Sequence, residues 1–188
     1  LLEYSIRKEV SKFILVSSDK ATDPANVMGL TKFLSEKLCD QYSKKHNNIV
    51  ISKVRFGNVL DTSGSVIPIF KKQIENGGPV TVSDKNVTRY FMTKEESVEL
   101  ILQSSLIAKS NELFFLDMGK PVKIYNVAKT MINLMGKKFT NKNNDKNAIT
   151  IIFKGLEKGE KMHEKIHNGN IEKTSHKRIY ISKKNQTN

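Results

Sequence analysis

KFILVSSDKATDPANVMGLTKFLSEKLCDQYSKKHNNIVISKVRF, residues Lys12–Phe56, decides the fold. The stretch opens on an apolar run, Lys12–Val16, and closes on another, Ile49–Phe56, both of strand length and β-rich. Between them, Asp23-Pro24 supplies a capping carboxylate and a proline at the first helical position, which predicts a helix running to about Lys45. Strand, helix, strand is a βαβ unit, so a parallel sheet with a right-handed crossover follows. Open parallel sheets bind ligands at the carboxyl ends of their strands. The polar run Ser17-Ser18-Asp19-Lys20 falls at such an end, and Met28 and Lys32 share one face of the next helix.

Outward from this unit the pattern keeps alternating. Ser65 caps a helix through about Glu75, ended by Gly77-Gly78-Pro79, with Val80–Val82 and Arg89–Met92 as short strands. Lys94–Ala108 and Val122–Met135 carry the helical period, and Leu113–Leu116 between them reads as a buried strand. On the two helices, Val98, Ile101 and Leu102, and Val127, Met131 and Leu134, are expected to form core stripes. Gly136–Asn147 is polar and reads as a mobile loop, Ile149–Phe153 as the last strand, and the basic end as frayed.

Composition excludes several classes. The 188 residues are 38% hydrophobic and 27% charged, which fits one full-sized globular domain rather than a disordered chain. No apolar run reaches the roughly 18 residues of a membrane span, and no secretory signal opens the chain. Cys39 is the sole cysteine, so no internal disulfide forms. The net charge of +13 comes from 28 lysines and only four arginines, a poor set for bidentate recognition of bases. No nucleic-acid partner is therefore expected.

The segment after the first strand resembles the active-site segment of extended short-chain dehydrogenases, specifically the CapD-like nucleotide-sugar 4,6-dehydratases of surface-polysaccharide pathways. Val16-Ser17-Ser18-Asp19-Lys20 and Asn26-Val27-Met28-Gly29-Leu30-Thr31-Lys32 carry the likeness, with methionine where most of the superfamily places the tyrosine of Y-x-x-x-K. Val54–Leu60, Gly64–Phe70, Gly77–Val82, Thr88–Thr93, Leu116–Lys123 and Gly155–Glu164 extend it along the chain. No G-x-G-x-x-G follows a strand, and the chain begins Leu1-Leu2-Glu3. A C-terminal fragment is expected, its pyrophosphate-binding half lying upstream. The implied fold is α/β: the C-terminal part of a Rossmann-like parallel sheet over residues 1–62, a smaller α/β substrate-binding region with returning Rossmann elements over 63–182, and a basic tail over 183–188.

The resemblance implies an NAD-dependent lyase that oxidises C4 of a UDP-linked N-acetylhexosamine, removes water across C5 and C6, and returns the hydride to C6. Ser18 would bond O4, Asp19 would donate to O6, and Lys20 would take the C5 proton once desolvation and nearby cations favour its neutral form. Lys32 would hold the nicotinamide ribose, while Met28 transfers no proton. Cofactor contacts are implied at Ser17, Lys32 and Phe56. Substrate contacts are implied at Asn58, Ser65, Arg89 (on the diphosphate) and Glu160 (on a ribose hydroxyl). Glu157-Lys158 stands where the family carries Arg-Pro, with Lys158 or Lys161 as the compensating cation. A cytoplasmic enzyme, or one on the cytoplasmic face of the inner membrane through an upstream region, is implied, with homo-oligomerisation left open.

The alternatives are a 4-epimerase or reductase of the same superfamily and, remotely, a zinc hydrolase. His163-Glu164-Lys165-Ile166-His167 spells H-E-x-x-H, which on a helix puts two imidazoles on one face. Lying within the dehydratase-like stretch, it reads instead as a solvated edge helix, and no metal is expected.

Overall fold

A computed structural model describes residues 1–62, 64–141 and 148–183. The chain divides into two compact units. The first comprises Leu1–Gly57, Glu95–Met118 and Lys165–Asn188; the second comprises Asn58–Lys94 and Gly119–Glu164.

The first unit is a five-stranded sheet with helices α1 (Leu2–Arg7) and α2 (Val27–Lys45) and all of α4 (Lys94–Ile107) but its first residue. Its strands are β1 (Lys12–Val16), β2 (Val50–Arg55), β3 (Leu113–Leu116), β4 (Ile171–Lys173) and β5 (Ile179–Ser182), ordered β1-β2-β3-β5-β4. The βαβ expectation holds: β1 and β2 are parallel, with Lys12 opposite Val50 and Val16 opposite Val54. Strand β3 continues the parallel set, with Arg55 opposite Phe115, and β5 returns antiparallel to it. Cys39 of α2 packs with Ile49 and Ile51 beneath the helix, and burial pushes its thiol up to about 11.

The second unit is built on α3 (Val66–Glu75) and α5 (Ile124–Leu134), whose Phe70, Ile74, Ala128 and Ile132 bury with Val80, Val82 and Ile149. Four pairs of short strands trim it, among them Ile151–Phe153 parallel to Val80–Val82 and Asn58–Val59 parallel to Phe91–Met92.

Several expectations need correction. Helix α2 starts at Val27, because Asn26 is its N-cap and its side-chain oxygen accepts from Gly29 N at 2.8 Å. Asp23 has φ of 49°, whereas an N-cap is extended. Val98 and Leu102 are 56% and 59% exposed, and Leu134 is exposed too. On α4 the inward face is Leu100 flanked by the small side chains of Ser97 and Ser104, so the Val98–Leu102 stripe faces out. Arg89–Met92 and Ile149–Phe153 are each broken into two short strands, and Lys138–Phe139 is a strand inside the polar loop. The basic end is not frayed through residue 182: β4 and β5 complete the main sheet. Residues 142–147 of the loop and 184–188 of the tail lie outside the described residues.

Candidate active site

Backbone geometry carries the polar run past the end of β1. Ser17 N donates to Val54 O and Asp19 N to Phe56 O, which extends the parallel pairing beyond β1. Asp19–Ala21 then form a single 3-10 turn, capped by Ser18. Gly29 lets the first turn of α2 lie against this loop, since a Cβ there would sit 2.5 Å from Lys20 O. Strand end, turn and helix start therefore form one packed segment.

Ser18, Asp19 and Lys20 meet on a single carboxylate oxygen. Asp19 is 0% exposed. Its Oδ1 accepts from Ser18 Oγ at 2.8 Å and from Lys20 Nζ at 2.9 Å. Its Oδ2 is buried with no hydrogen-bond partner among the described residues. The base role expected for Lys20 called for nearby cations; the charged neighbour found at 2.9 Å is a carboxylate. Chemically the pair has a second use. One proton moving from ammonium to carboxylate yields a neutral amine and a carboxylic acid side by side.

Lys32 lies on the helix face expected, and its Nζ donates to Val16 O at 3.2 Å, which holds an ammonium at the carboxyl end of β1. Met28, one turn earlier, is exposed. Phe56 is buried, and its carbonyl is the one that anchors Asp19. Ser17, expected to touch the cofactor, gives its hydroxyl to Glu36 Oε1 at 2.5 Å.

The remaining candidates belong to the second unit. Arg89 and Glu160, expected as separate substrate contacts, are partners: Arg89 NH2 donates to Glu160 Oε1 at 3.0 Å. Arg89 is buried, and its NH1 donates to Thr88 O at 2.7 Å and Met162 O at 3.2 Å. Glu160 also accepts from Ser83 Oγ. Asn58 sits on the short strand beside Phe91, and Ser65 is the N-cap residue of α3, with no side-chain cap bond and a buried hydroxyl. Glu157 is met by Lys154. Their hydrogen bond lowers the Glu157 carboxyl and raises the Lys154 amine.

His163–His167 is not helical, so the i, i+4 placement that H-E-x-x-H requires is not formed, and the edge-helix expectation is corrected. His163 Nδ1 instead lies 2.8 Å from Thr88 Oγ1, and His167 Nδ1 lies 2.9 Å from Gly169 O. Among the described residues no group of three metal-binding side chains converges, and no helix is long and apolar enough to cross a membrane.

Glu36, Arg55 and Thr22 were not anticipated. The signal was present: Glu36 and Asp40 are four apart on α2, and Lys53 and Arg55 are two apart on β2. Four helical residues rise about 6 Å and two strand residues about 6.6 Å, so the acids and bases can meet as successive rungs. They do, as Asp40–Lys53 and Glu36–Arg55.

Comparison with known proteins agrees with this architecture. The model of the family described as "Polysaccharide biosynthesis protein" matches residues 1–184. The chain is 49% identical over 162 residues to the capsular polysaccharide biosynthesis protein CapD of Staphylococcus aureus, covering 86% of this chain and 26% of that protein. It is 34% identical over 168 residues to the UDP-glucose 4-epimerase of Rickettsia canadensis, covering 88% and 46%. Among solved structures, Pen from Bacillus thuringiensis superposes with a TM-score of 0.84 at 29% identity, covering 99% of this chain and 56% of that one. The chain thus spans from about a quarter to about half the length of these proteins.

Proposed function

The chain belongs to the polysaccharide biosynthesis protein family, and from that premise we propose that it carries the active-site segment of a nucleotide-sugar 4,6-dehydratase acting on a UDP-linked N-acetylhexosamine. The observation that carries the reading is the Ser18–Asp19–Lys20 cluster, whose proton-bearing groups converge on one buried carboxylate oxygen while the neighbouring helix presents a thioether. Interconverting epimers at C4 needs one proton relay at O4. Dehydration also needs a base at C5 and an acid at O6, and the Lys20–Asp19 pair is one proton transfer from being both.

The residues fit NAD at the nicotinamide end. Lys32 holds its ammonium at the carboxyl end of β1, where open α/β sheets take nucleotides. Held there by Lys32, NAD would supply the acceptor for the C4 hydride and its donor to C6. Ser18 hydrogen-bonds O4 and passes that proton to water as C4 is oxidised. Lys20 removes the C5 proton, which the C4 ketone has made acidic, and Asp19 protonates the departing C6 hydroxyl. Lys20 then returns a solvent-equilibrated proton to C5. Arg89, with its planar fork, takes the diphosphate, and Glu160 turns from Arg89 to a ribose hydroxyl. Asn58 and Ser65 are assigned to the sugar. The proposed setting is the cytoplasm or the cytoplasmic face of the inner membrane.

The test is to incubate the full-length protein with UDP-N-acetylglucosamine and NAD in deuterium oxide. A 4-keto-6-deoxy product carrying deuterium at C5 is expected. The C4 epimer without deuterium would replace this reading with the epimerase one, which the 34% identity to the Rickettsia enzyme makes the specific alternative.

A further inference from the structure

The two rungs between α2 and β2 are not equivalent. Asp40–Lys53 lies at the margin, with the carboxylate side chain 30% exposed. Glu36–Arg55 is buried on both sides and bidentate, with Nε to Oε1 at 2.7 Å and NH2 to Oε2 at 2.5 Å. The inner rung also reaches further. Glu36 Oε1 accepts from Ser17 Oγ at 2.5 Å, and Arg55 NH1 donates to Thr22 Oγ1 at 2.9 Å, whose own hydroxyl donates to Ile166 O at 2.8 Å.

Ser17 immediately precedes the Ser18–Ala21 loop and Thr22 immediately follows it. Glu36 stands one helical turn beyond Lys32 on the same face. One ion pair therefore ties both ends of the loop that carries Ser18, Asp19 and Lys20 to the helix that carries Lys32. A buried pair gains little net stability over well-packed apolar residues, so stability alone does not account for it. Holding groups to a fraction of an ångström is what such a tie does best.

We propose that Glu36 and Arg55 are positioning residues that clamp the Ser18–Ala21 loop against α2, fixing Asp19 and Lys20 relative to Lys32. The consequence for turnover rests on the dehydratase reading; the consequence for the loop does not. Ser17 and Thr22 are the two grips of the clamp. Their hydroxyls serve the protein's own geometry rather than a ligand.

The test compares the full-length protein with its Glu36→Met/Arg55→Met double variant, which removes both charges at once and leaves neither one buried alone. Two readouts are taken: hydrogen exchange of the amides of residues 17–22, and steady-state kinetics with UDP-N-acetylglucosamine and NAD. The expected result is exchange at least about tenfold faster in 17–22 with β1 and β2 still protected, and kcat lower by about 100-fold with KM nearly unchanged, since small misplacements cost on that order. Arg55→Ala should regain turnover with added methylguanidinium, because Arg55 lines a cavity of about 430 Å³ with Thr22, Phe33, Phe115 and His167. Unchanged exchange in 17–22 overturns the clamp, as does a loosened loop with wild-type kcat. Should the parent protein form no dehydrated product, the dehydratase reading fails and the exchange comparison still decides the clamp. If the double variant does not fold, Thr22→Val, which releases one grip only, must speed exchange at 19–22; unchanged exchange there overturns the proposal equally.

Discussion

Each unit holds a buried arginine paired with a glutamate, Arg55 in the first and Arg89 in the second, and the two pairs are built differently. Arg55–Glu36 joins a strand to a long helix, is bidentate and is buried on both sides. Arg89–Glu160 makes one contact at 3.0 Å, and its glutamate side chain, outside any regular element, is 24% exposed. The first pair has no route to exchange partners without leaving a charge stranded in a dry interior. The second has a carboxylate that water already reaches, so an incoming anion can take its place on the guanidinium. A proposed framework pair and a proposed ligand site can share the same two residue types; burial and the regularity of the flanking elements are what separate these two.

The largest effect should come from breaking the framework pair on one side. Arg55→Met leaves Glu36 buried and unpaired, and should cost about 3–5 kcal/mol in urea unfolding. Arg89→Met leaves Glu160 to rehydrate, and should cost about 1 kcal/mol or less. Equal costs would erase the distinction. Next is Gly29→Ala, whose Cβ would lie 2.5 Å from the Lys20 carbonyl oxygen, a backbone atom that must move to admit it. Overpacking of that kind costs about 1–3 kcal/mol. Because the displaced backbone bears Lys20, turnover should fall by more than stability does. Turnover held at the parent level would mean the loop tolerates movement.

Arg89→Lys sharpens the other side of the comparison. It keeps the charge and loses the fork, so KM for the nucleotide sugar should rise about tenfold with the melting temperature nearly unchanged. An unaltered KM would remove Arg89 from the diphosphate. The smallest effect is at the surface pair Lys154–Glu157. The hydrogen bond lowers Glu157, so any stability it lends is present above the unfolded carboxylate pKa and fades as pH falls through the lower folded value. Carbon-detected NMR titration should place Glu157 below an ordinary glutamate while Glu157→Gln leaves melting unaltered; an ordinary midpoint would mean the pair does not persist in solution.

The sequence carried the fold wherever pattern and environment agree. Leu113–Leu116 is a continuous apolar run, and a buried parallel strand reads that way; Phe13–Val16 carries the same pattern on the outermost strand of the described sheet, where no residue is buried. It misled where the pattern is ambiguous. Asp23-Pro24 looks like a helix start, yet Asn26 satisfies the first free amides and wins. Val98 and Leu102 have the right period on the outer face, because periodicity finds a stripe without saying which stripe is covered. Strands β4 and β5 hide in a Lys-rich tail, since Ile171–Lys173 and Ile179–Ser182 are too short to stand out. In the candidate site, Ser18, Asp19 and Lys20 could be singled out as one contiguous polar run, and Met28 and Lys32 as an i, i+4 pair on the next helix. The Arg89–Glu160 and Glu36–Arg55 pairs were not, because partners 71 and 19 residues apart meet only through the fold.

The most direct test of the central claim is Lys20→Met in the full-length protein, with NADH absorbance and deuterium incorporation at C5 followed together. General-base steps are worth ~10²–10⁴-fold, so the loss should be large. With Lys20 as the C5 base, the variant still oxidises C4 and forms NADH slowly, while neither solvent deuterium at C5 nor a 6-deoxy product accumulates. Deuterium entering C5 at the parent rate in a folded Lys20→Met protein would contradict the assignment of elimination to this loop.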